Sequence, residues 1–153
     1  MDHVGLWARV ILSLVLVGGV LSCASLGAGP ELRITHPTII AARFLDQDGK
    51  PMTTLDFKDG EAPPPGAKLQ VIATGFAPIK AVWIENLDGS RAIQVPSRSD
   101  KIYELSLDLL IGPQVLPEGA QRQLSYLIVA INIDDHTTTS RRLPLFVRRA
   151  VAH

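Results

Sequence analysis

The chain has 153 residues, 46% of them hydrophobic, and its 15 basic and 15 acidic side chains leave no formal net charge. A net charge of zero gives no indication of the basic face with which proteins bind nucleic acid, so we expect no nucleic-acid partner. Cys23 is the only cysteine. The chain therefore has no internal disulfide and no thiolate zinc site of the zinc-finger kind.

Residues 1–22 have the pattern of a secretory signal, with Arg9 before an apolar core, Val10 to Val17. The core is followed by Val20-Leu21-Ser22-Cys23, which resembles the lipobox of bacterial lipoproteins. The resemblance implies lipidation of Cys23 and cleavage before it. Ala24 in the next position implies delivery to the outer membrane, facing the periplasm. Acyl chains on Cys23 would then be the membrane anchor.

Two alternatives to lipidation remain open. Ordinary cleavage after Ala24 would discard Cys23 and release a soluble domain. The uncharged stretch Val10 to Gly29 is also long enough to stay in the inner membrane as an uncleaved signal anchor. Lipidation and both alternatives export the rest of the chain. Residues 23–30 would be a short Gly-rich tether for it.

Residues 31–149 alternate between apolar and polar side chains in several short runs, as half-buried strands do. The predicted core faces are Leu69, Val71 and Ala73; Tyr103, Leu105, Leu107 and Leu109; and Leu143, Leu145 and Val147. The most apolar run, Leu124 to Ile133, predicts a central strand covered on both faces, and Thr137 to Val147 a final strand. With Lys50 to Gly66 irregular, the pattern predicts seven or eight strands in a two-sheet antiparallel sandwich.

Tyr126 follows Glu118-Gly119 and a short polar stretch, and Ile128 lies two residues later. This arrangement is similar to the tyrosine corner of immunoglobulin-like folds, in which the position of Ile128 often holds a cysteine. The resemblance implies an immunoglobulin-like sandwich over residues 31–149. It implies a fold and not an activity.

Catalytic and metal-binding patterns are missing from the sequence. The two histidines outside the signal and the last residue, His36 and His136, are 100 positions apart and have no metal-ligand spacing. Asp46 to Gly49 predicts a hairpin turn rather than a calcium loop. We therefore expect no enzyme activity, no catalytic residue, no metal and no cofactor.

Trp83 is the residue most suggestive of binding. It alternates with Val82 and Ile84, which places its ring on the outside if those two are core, although immunoglobulin-like domains often bury a tryptophan in this strand. We expect a non-catalytic envelope lipoprotein whose domain acts as a binding or structural accessory module for an envelope protein partner, with Trp83 as a possible contact. A carbohydrate-binding module is the alternative, and it requires Trp83 and Tyr103 or Tyr126 to line one groove.

Overall fold

The computed structural model describes residues 36–58 and 60–150. The predicted signal, Cys23 and the tether lie outside the described residues. Within the described ranges the chain forms eleven strands and one short helix. The elements are β1 (Thr38–Leu45), β2 (Pro51–Met52), β3 (Thr54–Phe57), β4 (Lys68–Thr74), β5 (Ile79–Asn86), β6 (Ala92–Gln94), β7 (Ser97–Ser99), β8 (Ile102–Ser106), α1 (Leu107–Leu110), β9 (Gln121–Asn132), β10 (Thr137–Thr139) and β11 (Leu143–Arg149).

The strands form two sheets. Sheet A has the order β2-β1-β4-β8-β7, and all its pairs are antiparallel. Sheet B has the order β3-β11-β9-β5-β6, and β10 also pairs with β9. The pairing of β11 with β3 is parallel, while the other pairs of sheet B are antiparallel. The described chain is thus all-β, with two mostly antiparallel sheets.

The core lies between the two sheets and is apolar almost throughout. Alternate residues of β4 and β9 supply its centre, where Leu69, Val71, Ala73, Ile128 and Ala130 have no exposed surface. The predicted core face of β4 is confirmed, because period-two alternation places one set of side chains inward. Phe44 and Tyr126 pack edge to face, with ring centroids 6.1 Å apart.

The predicted count of seven or eight strands is wrong. Several strands are only two to four residues long, and two of them, β2 and β3, lie in the segment predicted to be irregular. The predicted strand Thr137 to Val147 is divided into β10 and β11, and the Ser140 hydroxyl accepts a hydrogen bond from the Ile128 backbone N–H between them (2.9 Å).

The predicted strand face Tyr103, Leu105, Leu107 and Leu109 is wrong at its end, because β8 stops at Ser106 and α1 follows. The helical turn moves Leu109 outward, leaving it 58% exposed, and buries Leu110 instead. The predicted core residues Tyr103, Leu105 and Leu107 are confirmed.

The predicted hairpin turn after β1 is confirmed. Asp46 accepts hydrogen bonds from the backbone N–H groups of Asp48 (2.9 Å) and Lys50 (2.8 Å) through the same carboxylate oxygen. Gly49 has a φ of 77°, a conformation that glycine adopts without the steric penalty of a Cβ. The turn brings β2 back against β1, where Phe44 pairs with Met52.

Candidate functional site

The outer face of sheet B carries an apolar ladder, which we call the Trp83 face. On β5, Val82 and Ile84 are buried, so the alternating residues Ala81, Trp83 and Glu85 point away from the core. On β9, buried Ile128 and Ala130 alternate in the same way with outward-pointing side chains. The Trp83 face comprises Ala81, Trp83, Glu85, Leu127, Val129 and Ile131, all of them half-buried.

Strand register places these side chains directly opposite one another. Ala81 pairs with Ile131, Trp83 with Val129, and Glu85 with Leu127. Cross-strand neighbours of this kind are close enough for their side chains to contact each other. The indole of Trp83 is therefore at the middle of the ladder, flanked by aliphatic side chains.

Polar side chains border the ladder on both sides. Thr137 and Thr139 of β10 pair with Ile131 and Val129. On the other side, Gln94 of β6 pairs with Trp83. An apolar centre within a polar rim is the usual composition of a protein-binding surface.

The Trp83 face explains why β9 is so apolar. We predicted burial of that strand on both faces, but only one face reaches the core. Tyr126, Ile128 and Ala130 are buried, while the residues between them are half-buried. Within the described part of the chain, every strand belongs to one of the two sheets and the single helix follows β8, so no further layer covers β9.

The outer face of sheet A differs from this because it carries a hydrogen-bonded polar network. Arg43 donates two hydrogen bonds to the Gln70 side-chain oxygen (3.1 and 2.8 Å). Gln70 in turn donates to Glu104 (3.0 Å), which also receives a bond and an ion pair from Lys68. These groups satisfy one another within the sheet, whereas no further layer of described elements covers the apolar ladder of sheet B.

The network also determines the acidity of Glu104. Burial is the largest influence and raises the pKa of its carboxyl group, but the hydrogen bonds from Gln70 and Lys68, with the positive charges of Lys68 and Arg98, together lower the pKa below its usual value. Glu104 is thus a carboxylate held in its charged form by its neighbours. Such a group has a structural role and is a poor proton donor.

The two tyrosines do not join Trp83 in a groove. Tyr103 is 7% exposed and Tyr126 is 5% exposed, and both point into the core. Tyr126 lies on the inner face of sheet B, opposite to the face that carries Trp83. The aromatic groove that the carbohydrate-binding alternative requires is therefore not formed by these residues.

Among the described residues, Tyr126 has no partner for the hydrogen bond expected of a tyrosine corner. Its hydroxyl makes no hydrogen bond to residues 36–58 or 60–150. β9 already begins at Gln121, so the backbone just upstream of the ring is extended strand. Burial raises the pKa of the Tyr126 hydroxyl to about 12.

His36 and His136 meet in the structure, although the sequence placed them 100 positions apart. Their ring centroids are 4.9 Å apart, with the ring planes inclined by 36°. The His36 ring also lies 3.4 Å from the Thr137 carbonyl oxygen, measured from Nδ1. Sequence spacing contains no signal for this contact, because long-range pairing of β10 with β9 carries His136 to the start of β1.

The histidine pair does not extend into a metal cluster. Among the described residues, no group of three or more histidine, cysteine, aspartate and glutamate side chains is placed to hold a metal ion. The same residues include no helix long and apolar enough to cross a membrane.

Comparisons with known proteins find similarity to solved structures. No protein-family model matches the chain, and no curated protein matches it. Among solved structures, the fibronectin(III)-like modules of Clostridium thermocellum CbhA align with a TM-score of 0.40 and 16% sequence identity. The alignment covers 75% of this chain and 47% of that chain.

Proposed function

We propose that this protein is a non-catalytic, lipid-anchored module of the bacterial cell envelope that binds a protein partner through the Trp83 face. In this proposal Cys23 carries the lipid, residues 23–30 are the tether, and residues 31–149 form an immunoglobulin-like sandwich. The domain faces the periplasm from the outer membrane. The chain performs no chemistry of its own.

One observation carries the binding role: a half-buried tryptophan at the centre of an apolar cross-strand ladder, on a sheet face without a covering layer among the described elements. Tryptophan combines a large apolar area with an N–H donor, and it is enriched among the residues that dominate binding energy. Apolar residues on a solvated sheet face reduce solubility unless a partner covers them. The contrast with the polar network of sheet A supports the choice of the Trp83 face as the binding surface.

Glu85 adds a chemical preference to the face. Its half-buried side chain sits between Leu127 and Ala92 in the register, and no ion pair to it occurs in residues 36–58 and 60–150. A partner that covers Trp83 would remove water from this carboxylate as well. The matching surface is therefore apolar with a lysine or arginine at its edge, since an unpaired buried carboxylate is costly.

The anchor is tested by the intact mass of the protein extracted from membranes, beside a Cys23→Ala variant. The proposal predicts a mature chain that begins at Cys23 and carries acyl mass, and loss of that species in the variant. A chain that retains residues 1–22 would indicate an uncleaved signal anchor. A shortened chain without lipid would indicate a secreted domain and would contradict the anchor.

The binding face is tested by co-isolation of the full chain with its partners in mild detergent. Trp83→Ala removes the centre of the ladder, and Ile72→Ala is the matched control, because Ile72 is a half-buried strand residue on the outer face of sheet A. We expect Trp83→Ala to lose a stoichiometric partner that both the wild type and Ile72→Ala retain. Equal recovery from all three proteins would contradict the proposal, provided that thermal unfolding shows the variants to be folded.

A further inference from the structure

The first strand begins at one of the two ends of the sandwich, so this end lies nearest to the N-terminal segment. β1 begins at one end, beside the end of β4, because Thr38 pairs with Thr74. The end of β9 and the start of β10 lie at this end too, since Thr137 pairs with Ile131. We call this the entry end and define it by three segments: 36–37, the loop 75–78 and the turn 133–136.

Direct contacts hold the three segments together. The Thr138 hydroxyl donates to the Pro37 carbonyl oxygen (2.5 Å), which ties the start of β10 to the start of β1. The Ile133 N–H donates to the Pro78 carbonyl oxygen (3.0 Å), which ties the turn to the loop. A Cβ placed on Gly75 would lie 3.5 Å from the Pro37 Cα, so the loop packs closely on the chain entry.

The entry end exposes large apolar side chains at its tip. Phe76 is 84% exposed and Ile133 is 57% exposed. Ala77 and Pro78, next to Phe76, add uncharged surface, so the loop 75–78 has no charged residue. Aromatic and aliphatic side chains at such a tip are suited to the boundary between headgroups and acyl chains of a bilayer.

We propose that the entry end rests on the membrane that anchors the chain, with Phe76 and Ile133 inserted into the lipid interface. This inference rests on the proposed function in one respect, namely that the N-terminal segment is fixed in a membrane. It holds for a lipidated Cys23 and for an uncleaved signal anchor alike. The Trp83 face then stands roughly perpendicular to the bilayer and is open to a partner.

The length of the chain before His36 selects a bilayer as the occupant of this tip. Between Cys23 and His36 lie residues 24–35, and twelve residues can span at most about 40 Å. We call the opposite end of the sandwich, where β9 begins, the far end. From there β9 runs to the entry end over 12 residues, or about 40 Å. The far end could reach the same bilayer only with the tether fully stretched along the domain.

Both ends of the sandwich have an exposed apolar side chain, so exposure alone does not distinguish them. Val115, in the loop between α1 and β9, is 80% exposed and lies at the far end. It therefore provides a control that matches Phe76 in exposure and apolar character but not in distance from the anchor.

The contact is apolar rather than electrostatic. The charged residues of the entry end and its neighbouring strand ends include Lys80, Asp100, Lys101, Asp134 and Asp135, and they give no basic excess. Lys80 is also paired with Asp135 (2.6 Å). We therefore expect the contact to form equally on neutral and anionic vesicles and to persist in high salt.

The test uses the full chain purified from membranes and reconstituted into vesicles of phosphatidylcholine alone or of phosphatidylcholine with phosphatidylglycerol. Phe76→Cys and Val115→Cys are each labelled with a thiol-reactive NBD dye, and both sites are exposed enough to accept it without loss of fold. A lipidated Cys23 has no free thiol, so the wild type serves as the labelling blank. The dye at residue 76 is expected to shift its emission to shorter wavelength on vesicles and to be quenched by brominated lipids, while the dye at residue 115 does neither.

Three results would overturn the inference. Equal responses at residues 76 and 115, no response at residue 76, or a response that requires anionic lipid would each contradict an apolar contact at the entry end. Intact mass measured on the same sample separates this failure from failure of the anchor. Acyl mass on Cys23 without a response at residue 76 leaves the proposed function standing and removes only the inference.

Discussion

Asn132 and Asp46 each accept hydrogen bonds from two backbone N–H groups in turns that differ in burial, and this difference predicts a large difference in stability. The Asn132 side-chain oxygen accepts from the backbone N–H groups of Asp134 (3.1 Å) and His136 (2.9 Å). Asp46 likewise accepts from residues two and four positions later. Asn132 is the one buried polar side chain of the described core, with 0% exposure, whereas the Asp46 turn is open to water.

The structure allows the magnitude to be worked out. Asn132→Ala leaves two partly buried N–H groups without their acceptor, at about 1 kcal/mol or more each, so we expect a loss of about 2–3 kcal/mol in the free energy of unfolding. For a domain of this size that is a fall of roughly 10 °C in Tm. Asp46→Ala exposes its two donors to water and should cost no more than about 1 kcal/mol.

Urea unfolding of the mature chain, followed by Trp83 fluorescence and far-UV circular dichroism, measures both values. Trp83 is the only tryptophan after the predicted signal, so its emission reports on sheet B alone. Equal losses for Asn132→Ala and Asp46→Ala would refute the claim that burial of the turn determines the cost of removing its acceptor.

Three further predictions concern single side chains or glycines. The pKa of Glu104 is lowered in the folded state, so the stability that it contributes through Lys68 is present above the unfolded pKa and is lost as the pH falls through the folded pKa. The stability advantage of the wild type over Glu104→Gln should therefore shrink between about pH 6 and about pH 3, as measured by urea unfolding. Gly75→Ala should destabilise the domain by about 1–3 kcal/mol, since its Cβ would lie 2.9 Å from a backbone carbonyl oxygen, while Gly112→Ala, with nothing within 4 Å, should be nearly neutral in the same assay. Burial raises the pKa of Tyr126 to about 12, so an alkaline absorbance titration should show it un-ionised at about pH 10.5 in the folded domain and more than half ionised in urea.

The sequence predicted the elements whose structure depends on local pattern. Alternation in β4 placed Leu69, Val71 and Ala73 in the core because one face of that strand is buried and the other is not. The turn at residues 46–49 followed from side-chain and glycine chemistry within four residues. The alternation in β5 indicated an outward Trp83, but the frequent burial of a tryptophan in this strand of immunoglobulin-like domains left a core position open, and the structure places the side chain on the outer face.

Features that depend on distant pairing were not visible in the sequence. β3 is stabilised by parallel pairing with β11, whose residues follow about 90 positions later. α1 continues the apolar alternation of β8, so local pattern predicted a strand where packing of Leu110 produces a helical turn. The continuous apolar run of β9 predicted burial on both faces, and only the sheet order shows that no described element covers its outer face.

The entry end was the least predictable part of the molecule. Phe76 and Ile133 belong to two loops more than fifty positions apart, and the bond between Ile133 and Pro78 joins them. Nothing in either loop indicates the other, because a surface contact between loops follows from the topology and not from local sequence. The His36–His136 contact arises in the same way.

The central claim, that the Trp83 face binds a partner in the envelope, is tested most directly by photo-crosslinking in living cells. A photoreactive amino acid replaces Trp83 in one full-length protein and Ile72, on the outer face of sheet A, in the other. A discrete adduct from position 83 that is absent from position 72 is the predicted result. Adducts of equal intensity from both positions, or none from position 83 in a folded and exported protein, would contradict the claim.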